Sequence, residues 1–298
     1  MTKKFFIIFC IFLFCSGFAC AEETSVAKTL LWSLIIPGGG HFYLGQENAG
    51  NAYLLAEGIF LVAGLSNEPA LSPGELNFFY TNALKIHELN IFTSYRQARI
   101  FTNNQGYSSP IDNTPLSKLM LAPFSWENIS SPYVYGFFLC GILVNAAEGY
   151  LNTQRKSYEN VSGFKISGAE FDRDAGSGFY YGMSTALSYT AGLSEECAYR
   201  GFVQAEFEES FGKTAGLYVS SGLFGAAHIT DFSNGRSWAN AGFASLAGFY
   251  LGWLFQKEGY KLSKPIAAHF WFDVAAFTTL FLIDPENNPL GIKVSFAF

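Results

Sequence analysis

Long apolar runs with almost no charged residues, separated by polar segments, constrain this chain more than any other feature of its sequence. A helix needs roughly 20 mostly apolar residues to cross a bilayer. The runs cover residues 29–43 (interrupted by a Pro-Gly-Gly-Gly break), 49–65, 133–151, 178–193, 213–229, 238–255 and 264–283. This pattern predicts an all-α protein, a polytopic transmembrane helical bundle with about seven spans and an additional amphipathic helix.

Composition agrees with a membrane location and excludes some other classes of protein. Charged residues make up only 14% of the chain, whereas a soluble domain carries about 25%. The net charge is -6 and no basic stripe is present, which excludes nucleic acid as a partner. The five cysteines form neither a disulfide framework nor a zinc ribbon, because three of them lie in the N-terminal apolar run. We therefore expect the lipid bilayer as a partner and a multi-pass location in the cell membrane, specifically the bacterial inner membrane.

The first residues have the pattern of a secretory signal peptide, predicted over residues 1–21. Lys3 and Lys4 form a charged start, an apolar core follows over residues 5–14, and Ala19-Cys20-Ala21 offers a cleavage site between small residues. An uncleaved membrane anchor is the second interpretation. A lipidated Cys20 is the third, because Phe18 fits a lipoprotein site poorly.

The remaining chain divides into three predicted regions. Residues 22–131 form an N-terminal membrane region, in which the Pro-Gly-rich turn breaks a helix and residues 76–99 form an amphipathic helix. That helix is expected either at the membrane surface or packed on the bundle. Residues 132–285 form a second membrane domain with a polar connector over 152–177, and residues 286–298 form a tail.

Ionisable side chains within or beside the apolar helices are the candidate functional residues. A charged side chain at the bilayer centre costs about 2.5–3.5 kcal/mol on insertion scales, so such residues mark functional sites. Residues four apart share a helical face, which lets Glu196 approach Arg200. By the same spacing, His269 and Asp273 share a face, and Glu195 points about 100° away from Glu196. The structural alternatives are a solvated helix end, a histidine bonded to a carbonyl, and a polar contact between helices.

Three motifs carry a resemblance to a known family. Glu195–Arg200 reads EExxxR, Phe224–His228 reads FxxxH, and His269–Asp273 reads HxxxN/D. In this order, and each on an apolar helix, they resemble the CAAX prenyl protease and bacteriocin-processing family (CPBP, also Abi) of intramembrane proteases. The resemblance covers roughly residues 135–285, the size of a domain.

The resemblance implies a role for each residue. Glu195 would be the general base that activates water, helped by His228. Glu196 and Arg200 would pair and hold the helix in place, while His269 and the residue at position 273 would bind the oxyanion. Asp273 departs from the more common Asn, which can donate a hydrogen bond. It would therefore be protonated, or it would orient His269 instead.

No cofactor is expected, although a zinc ion is not excluded. The family resemblance implies a metal-free glutamate mechanism. If the site held a metal, Glu195, His228 and His269 would be its ligands, since carboxylate and imidazole are acceptable to zinc.

Together these observations predict an intramembrane endopeptidase that uses water activated by glutamate and histidine. Its partner would be a membrane-associated protein or peptide substrate. The alternative is a non-catalytic membrane scaffold, immunity or regulatory protein of the same fold. A transporter fits less well, because the sequence has no detectable inverted repeat. The protease hypothesis requires Glu195, His228 and His269 to meet around a pocket that water can enter.

Overall fold

The structure is a computed structural model that describes residues 24–67, 70–104, 106–151 and 155–296. The signal peptide predicted over residues 1–21 lies outside these ranges. The α-helices are α1 Val26–Ile35, α2 Gly39–Tyr43, α3 Glu47–Asn67, α4 Pro73–Phe101, α5 Leu116–Met120, α6 Trp126–Ile129, α7 Pro132–Leu151, α8 Arg173–Ala198, α9 Ala205–Phe211, α10 Lys213–Ala226, α11 Gly235–Lys257 and α12 Ser263–Ile283. Short 3-10 turns lie at Ala122–Phe124, Tyr158–Asn160 and Pro285–Asn287, and a π-helix joins α8 to α9.

Three of the described helices, α3, α7 and α12, are long and apolar enough to cross a membrane. The seven spans predicted from the sequence are not confirmed. Helix α8 is long but carries many polar residues, including Glu195 and Glu196, and α10 is only 14 residues long. Together with the long apolar runs, the three helices mark the chain as a membrane protein.

The predicted break in the first apolar run is present. Helix α1 ends at Ile35, Gly38 has a φ of 77°, and α2 begins at the next residue. A side chain at Gly38 would be strained in this conformation, and its Cβ would lie 2.2 Å from the Gly50 carbonyl oxygen. The turn therefore allows α3 to lie directly against it.

Helix α4 confirms the amphipathic helix predicted over 76–99, and it packs on the bundle. Ser72 and Glu75 form a capping box at its N-terminus, with Pro73 in the first turn. Phe92, Tyr95 and Ala98 on its inner face are almost completely buried. The apolar face of α4 thus lies against protein, with both α8 and α3 packed on the helix.

A small antiparallel sheet corrects the purely helical prediction. The predicted connector contains β1 (Val161–Ile166) and β2 (Ala169–Asp172), and the predicted tail contains β3 (Lys293–Phe296). The strands lie in the order β2-β1-β3. A tight turn joins β1 to β2, because Ser167 and Gly168 both have positive φ angles.

The sheet forms because its inner face covers the ends of two helices. Phe164 on β1 packs with Tyr180 of α8 and Phe281 of α12 in one buried cluster. Tyr180 and Phe281 stack with ring centroids 3.9 Å apart. The predicted connector and tail therefore each contribute strands to one sheet, and the fold is nearly but not entirely α-helical.

Candidate active site

Helix α8 carries the first motif at its C-terminal end. Asp172 caps its N-terminus by accepting a hydrogen bond from the Ala175 N–H at 2.8 Å. The helix runs without a break to Ala198 and continues as a π-helix over Tyr199–Gln204. Ser220 donates to the Tyr199 carbonyl at 2.9 Å, so the first carbonyl oxygen of the π-helix has a hydrogen-bond partner. π-Helical turns occur frequently at functional sites.

Glu196 and Arg200 form the ion pair that their spacing predicted. Arg200 Nη1 donates to Glu196 Oε1 at 3.0 Å, and both side chains are fully buried. Arg200 Nη2 donates to the Gly248 carbonyl of α11 at 2.9 Å. The guanidinium also lies over the Phe224 ring, 4.6 Å from its centroid. One arginine thus connects α8, α10 and α11.

His269 on α12 joins this pair through one of its ring nitrogens. Its Nδ1 lies 2.8 Å from Glu196 Oε1, the oxygen that also accepts from Arg200. Because an ionised carboxylate only accepts, Nδ1 is the donor. The other nitrogen, Nε2, lies 3.8 Å from Glu195 Oε2 and 3.5 Å from Asp273 Oδ2. The imidazole is therefore surrounded by three carboxylates.

Close approach of α8 and α12 places these groups together. Gly192 faces the backbone of Phe270, and a Cβ on Gly192 would come within 3.0 Å of the Phe270 nitrogen. The small residue allows the two helices to pack closely one turn before Glu195. Glu196 and His269 then lie within hydrogen-bonding range, and Glu195 lies 3.8 Å from His269.

Glu195 makes a contact that the sequence analysis missed. Its Oε1 lies 3.0 Å from Lys85 Nζ on α4, and both side chains are about nine-tenths buried, with exposed fractions of 9% and 12%. Its Oε2 is buried and has no hydrogen-bond partner among the described residues. A signal for Lys85 was available, because Leu89 and Phe92 lie four and seven residues further on and share its helical face.

His228 lies just beyond the C-terminal end of α10 and is exposed. Its Nδ1 donates to the Phe224 carbonyl at 2.8 Å, since a carbonyl oxygen only accepts. In the neutral ring, Nε2 is then the acceptor nitrogen. The Phe224 ring contacts both the His228 ring and the His269 ring, at centroid distances of 4.8 and 5.8 Å. No described contact joins His228 directly to Glu195.

A cavity of about 760 Å³ brings the second and third motifs together. Its wall includes His228, His269 and Asp273 along with mainly apolar side chains from α7, α11 and α12. Glu195 does not line this cavity; it lies behind His269, with Oε2 directed at the ring. Of the three side chains predicted to meet around one pocket, His228 and His269 line this cavity, whereas Glu195 contacts only the His269 side of the pair. The meeting of all three around one pocket stays a prediction.

The part of the chain that the structure describes contains no group of three or more His, Cys, Asp or Glu side chains placed to hold a metal ion. Of the three alternative zinc ligands, Glu195 and His269 approach each other, whereas His228 contacts neither carboxylate of the first motif. The expectation of a reaction without a cofactor stays a prediction.

Comparison with known protein families links the segment that holds these residues to a family of proteases. A family model described as type II CAAX prenyl endopeptidase Rce1-like matches residues 178–275, about a third of the chain. We call these matched residues, which are similar to that family, the CAAX-protease segment. The CAAX-protease segment contains all six predicted site residues and excludes Lys85. No curated protein and no solved structure matched the chain.

The CAAX-protease segment is shorter than the domain predicted over 132–285. It begins within α8 and ends within α12, so it covers the helices that carry the three motifs. The other boundaries, at 22–131 and 286–298, stay predictions.

Proposed function

We propose that this chain is an intramembrane endopeptidase that hydrolyses a peptide bond of a membrane-associated protein or peptide. The observation that carries the proposal is the position of Glu195 Oε2. This carboxylate oxygen is buried, has no hydrogen-bond partner among the described residues, and lies 3.8 Å from His269 Nε2. An unsatisfied buried carboxylate oxygen is costly, and such groups are retained where they have a task.

In this mechanism Glu195 is the general base. Its free oxygen takes a proton from the attacking water, while the other oxygen is held by Lys85. His228 presents an acceptor nitrogen at the cavity wall, which suits a second proton acceptor on the substrate side. Glu196 and Arg200 do not meet the substrate; they orient His269 through the bond to Nδ1.

His269 stabilises the oxyanion through Nε2. Since Nδ1 already carries a proton, Nε2 can donate only when the ring is doubly protonated. Asp273 Oδ2 lies 3.5 Å from Nε2, and an ionised Asp can only accept. We therefore assign Asp273 to orienting His269, in place of the hydrogen-bond donation that an Asn would supply.

The surroundings of the site suit a substrate held in or at the bilayer. Two of the three helices long and apolar enough to span a membrane, α7 and α12, line the cavity, and the cavity wall is mostly apolar. We place the protein in the bacterial inner membrane as a multi-pass protein. Substrate entry from the bilayer then requires no transfer of an apolar group through water.

The test compares Glu195→Gln with the wild-type full chain, purified in lipid vesicles. The probe is a fluorogenic peptide that ends in a prenylated CAAX sequence. We expect kcat/KM to fall by about 10²–10⁴-fold, the usual contribution of a general base. Glu57→Gln is the matched control, because Glu57 is another carboxylate on an apolar helix and is paired with His87 at 2.9 Å, outside the site. Normal cleavage by Glu195→Gln would rule out the assigned role.

A second experiment identifies the natural substrate. Membrane fractions from wild-type and Glu195→Ala cells are compared by proteomics for a polypeptide that accumulates uncut in the variant. No difference, together with no cleavage of the prenylated peptide, would contradict the protease proposal.

A non-catalytic relative is the second candidate, and two observations favour it. Lys85 already occupies one oxygen of Glu195, and Asp stands at position 273 where Asn is more common in the family. A cellular phenotype that survives Glu195→Gln would indicate a scaffold, immunity or regulatory protein. Loss of the phenotype would indicate catalysis.

A further inference from the structure

Helix α4 lies outside the CAAX-protease segment, yet it is bonded to that segment along its length. Thr190 donates to Asn82 at 2.7 Å, Lys85 pairs with Glu195, and Arg99 Nη2 donates to Glu206 at 2.7 Å. These contacts join α4 to α8 and its continuation, from Asn82 in the first half of α4 to Arg99 in its last turn. The position of α4 relative to the first motif is therefore set by side-chain bonds as well as by apolar packing.

The N-terminus of α4 is anchored as well. Glu75 Oε1 accepts from the Ser167 N–H at 2.6 Å and from its hydroxyl at 3.1 Å, in the turn between β1 and β2. Its other oxygen accepts from the Ser72 N–H within the capping box. Because both ends of the helix are held, the side chain at position 85 reaches a defined place.

At that place lies Glu195, the proposed general base. Lys85 Nζ lies 3.0 Å from Glu88 and 3.0 Å from Glu195 Oε1. Glu88, three residues further along α4, already supplies an ion-pair partner within the helix. The second partner comes from a different part of the chain, and the ammonium group is buried between the two. A buried charge needs such partners, and good geometry, in order to be stable.

We propose that Lys85 is a positioning residue of the active site, supplied by the N-terminal region. By holding Oε1 of Glu195, it leaves Oε2 directed at His269 Nε2. This inference rests on the proposed function, and it extends the catalytic unit beyond the residues that the family model matches. The N-terminal region is then required for the reaction.

Loss of the ammonium group affects the geometry of the base. Without it, the Glu195 carboxylate can rotate, and neither oxygen is held against the cavity-side imidazole. A displacement of about 1 Å at a reacting group can cost about 10²-fold in rate. Substrate binding should change little, because Lys85 does not line the cavity.

The kinetic test uses Lys85→Met, Lys85→Arg and Arg99→Met in the full chain, with the prenylated fluorogenic peptide as probe. For Lys85→Met we expect kcat to fall about tenfold or more while KM stays within about twofold. Lys85→Arg should restore most of kcat. Arg99→Met is the matched control, since it removes another α4 ion pair, with Glu206, without touching Glu195. Wild-type kcat in Lys85→Met, or an equal loss in Arg99→Met, would overturn the proposal.

A second measurement does not depend on activity. The thermal midpoints of Lys85→Met, Glu195→Gln and the double variant form a double-mutant cycle. We expect the double variant to melt above Lys85→Met, because it no longer contains a lone buried carboxylate. Additive effects would contradict the ion pair. If Lys85→Met fails to accumulate, recovery on adding Glu195→Gln supports the pair, and failure to recover contradicts it.

The outcomes separate the two proposals. If the double-mutant cycle shows coupling between Lys85 and Glu195 but the wild-type protein cleaves nothing, the proposed function is contradicted. The role of Lys85 in catalysis is then contradicted with it. If the effects of the two substitutions on the thermal midpoint are additive and the wild-type protein does cleave the peptide, only the role of Lys85 is contradicted.

Discussion

The buried polar cluster around His41 in the N-terminal region invites comparison with the one around His269 in the CAAX-protease segment. The two histidines are equally hidden, with exposed fractions of 5% and 6%. His41 has Gln46 on Nδ1 at 2.8 Å and Thr93 on Nε2 at 3.0 Å, and its ring stacks on Tyr53. Both of its nitrogens are therefore satisfied by neutral partners.

The His269 cluster differs in charge and in what it leaves unsatisfied. Its ring faces Glu195, Glu196 and Asp273, and only the bond to Glu196 is of hydrogen-bond length. Among the described residues, Glu195 Oε2, Glu196 Oε2 and Arg200 Nε lack hydrogen-bond partners. A satisfied neutral cluster is explained by its structural contacts, whereas unsatisfied atoms in a buried charged cluster need a further explanation, which the proposed reaction supplies. This contrast separates the two histidines more clearly than burial does.

The largest effect on stability is expected from Arg200→Met. This change leaves Glu196 buried with only His269 as partner and removes the bond to the Gly248 carbonyl. Breaking one side of a buried ion pair costs about 3–5 kcal/mol, so the variant should unfold at a much lower temperature. Thermal unfolding of the purified protein in detergent measures the difference.

The control for Arg200→Met is the double variant with Glu196→Gln, which removes the stranded charge. Its thermal midpoint should lie above that of the single variant. If instead Arg200→Met is as stable as the wild type, the cluster is held mainly by packing, and the contrast with the His41 cluster fails.

A smaller effect, on stability alone, is expected from His41→Phe. The ring still stacks on Tyr53, but Gln46 loses its partner and Thr93 loses one of several. Unsatisfied buried polar groups cost about 1–3 kcal/mol. Cleavage of the prenylated peptide should stay within about twofold of wild type. A loss of cleavage without a loss of stability would place the His41 cluster in the functional machinery.

The local contacts of the site were predictable from spacing, and the distant ones were not. Four-residue spacing predicted the Glu196–Arg200 pair, and the apolar periodicity placed the helices that carry it. The bond between Lys85 and Glu195 joins residues 110 positions apart. Periodicity shows that Lys85 shares a face with Leu89 and Phe92, but it does not show which helix covers that face.

The sheet was missed for a related reason. Strand β3 alternates visibly in the sequence, yet a short strand is stable only with a partner, and its partner lies more than a hundred residues earlier at Val161–Ile166. The polar connector and the alternating tail form one sheet because Tyr180 and Phe281 provide the apolar surface on which the sheet packs. Motif spacing also predicted that Phe224 and His228 share a helical face, but it did not show that Phe224 would contact both the His228 and the His269 rings.

Asp112 extends the comparison to carboxylates, because it is as buried as Glu195 but fully bonded. It accepts from the Leu262 N–H at 2.8 Å, from the Thr114 N–H at 2.9 Å and hydroxyl at 2.6 Å, and it pairs with Lys261 at 3.3 Å. Burial raises the pKa of Asp112, but these bonds outweigh burial and lower the pKa below its ordinary value of 3.8. Asp112 thus shows what a satisfied structural carboxylate looks like in this protein.

The smallest effect is expected from Asp112→Asn, about 1 kcal/mol, and it should depend on pH. Because the folded-state pKa is lowered, the stabilisation by Asp112 is complete above the unfolded-state value and is lost as the pH falls through the folded-state value. The thermal midpoints of wild type and Asp112→Asn should therefore differ near neutral pH and converge in acid. A difference that is constant with pH would mean that the hydrogen bonds to Asp112 do not depend on its charge. In that case, the hydrogen bonds to Asp112 would not by themselves separate a structural carboxylate from Glu195.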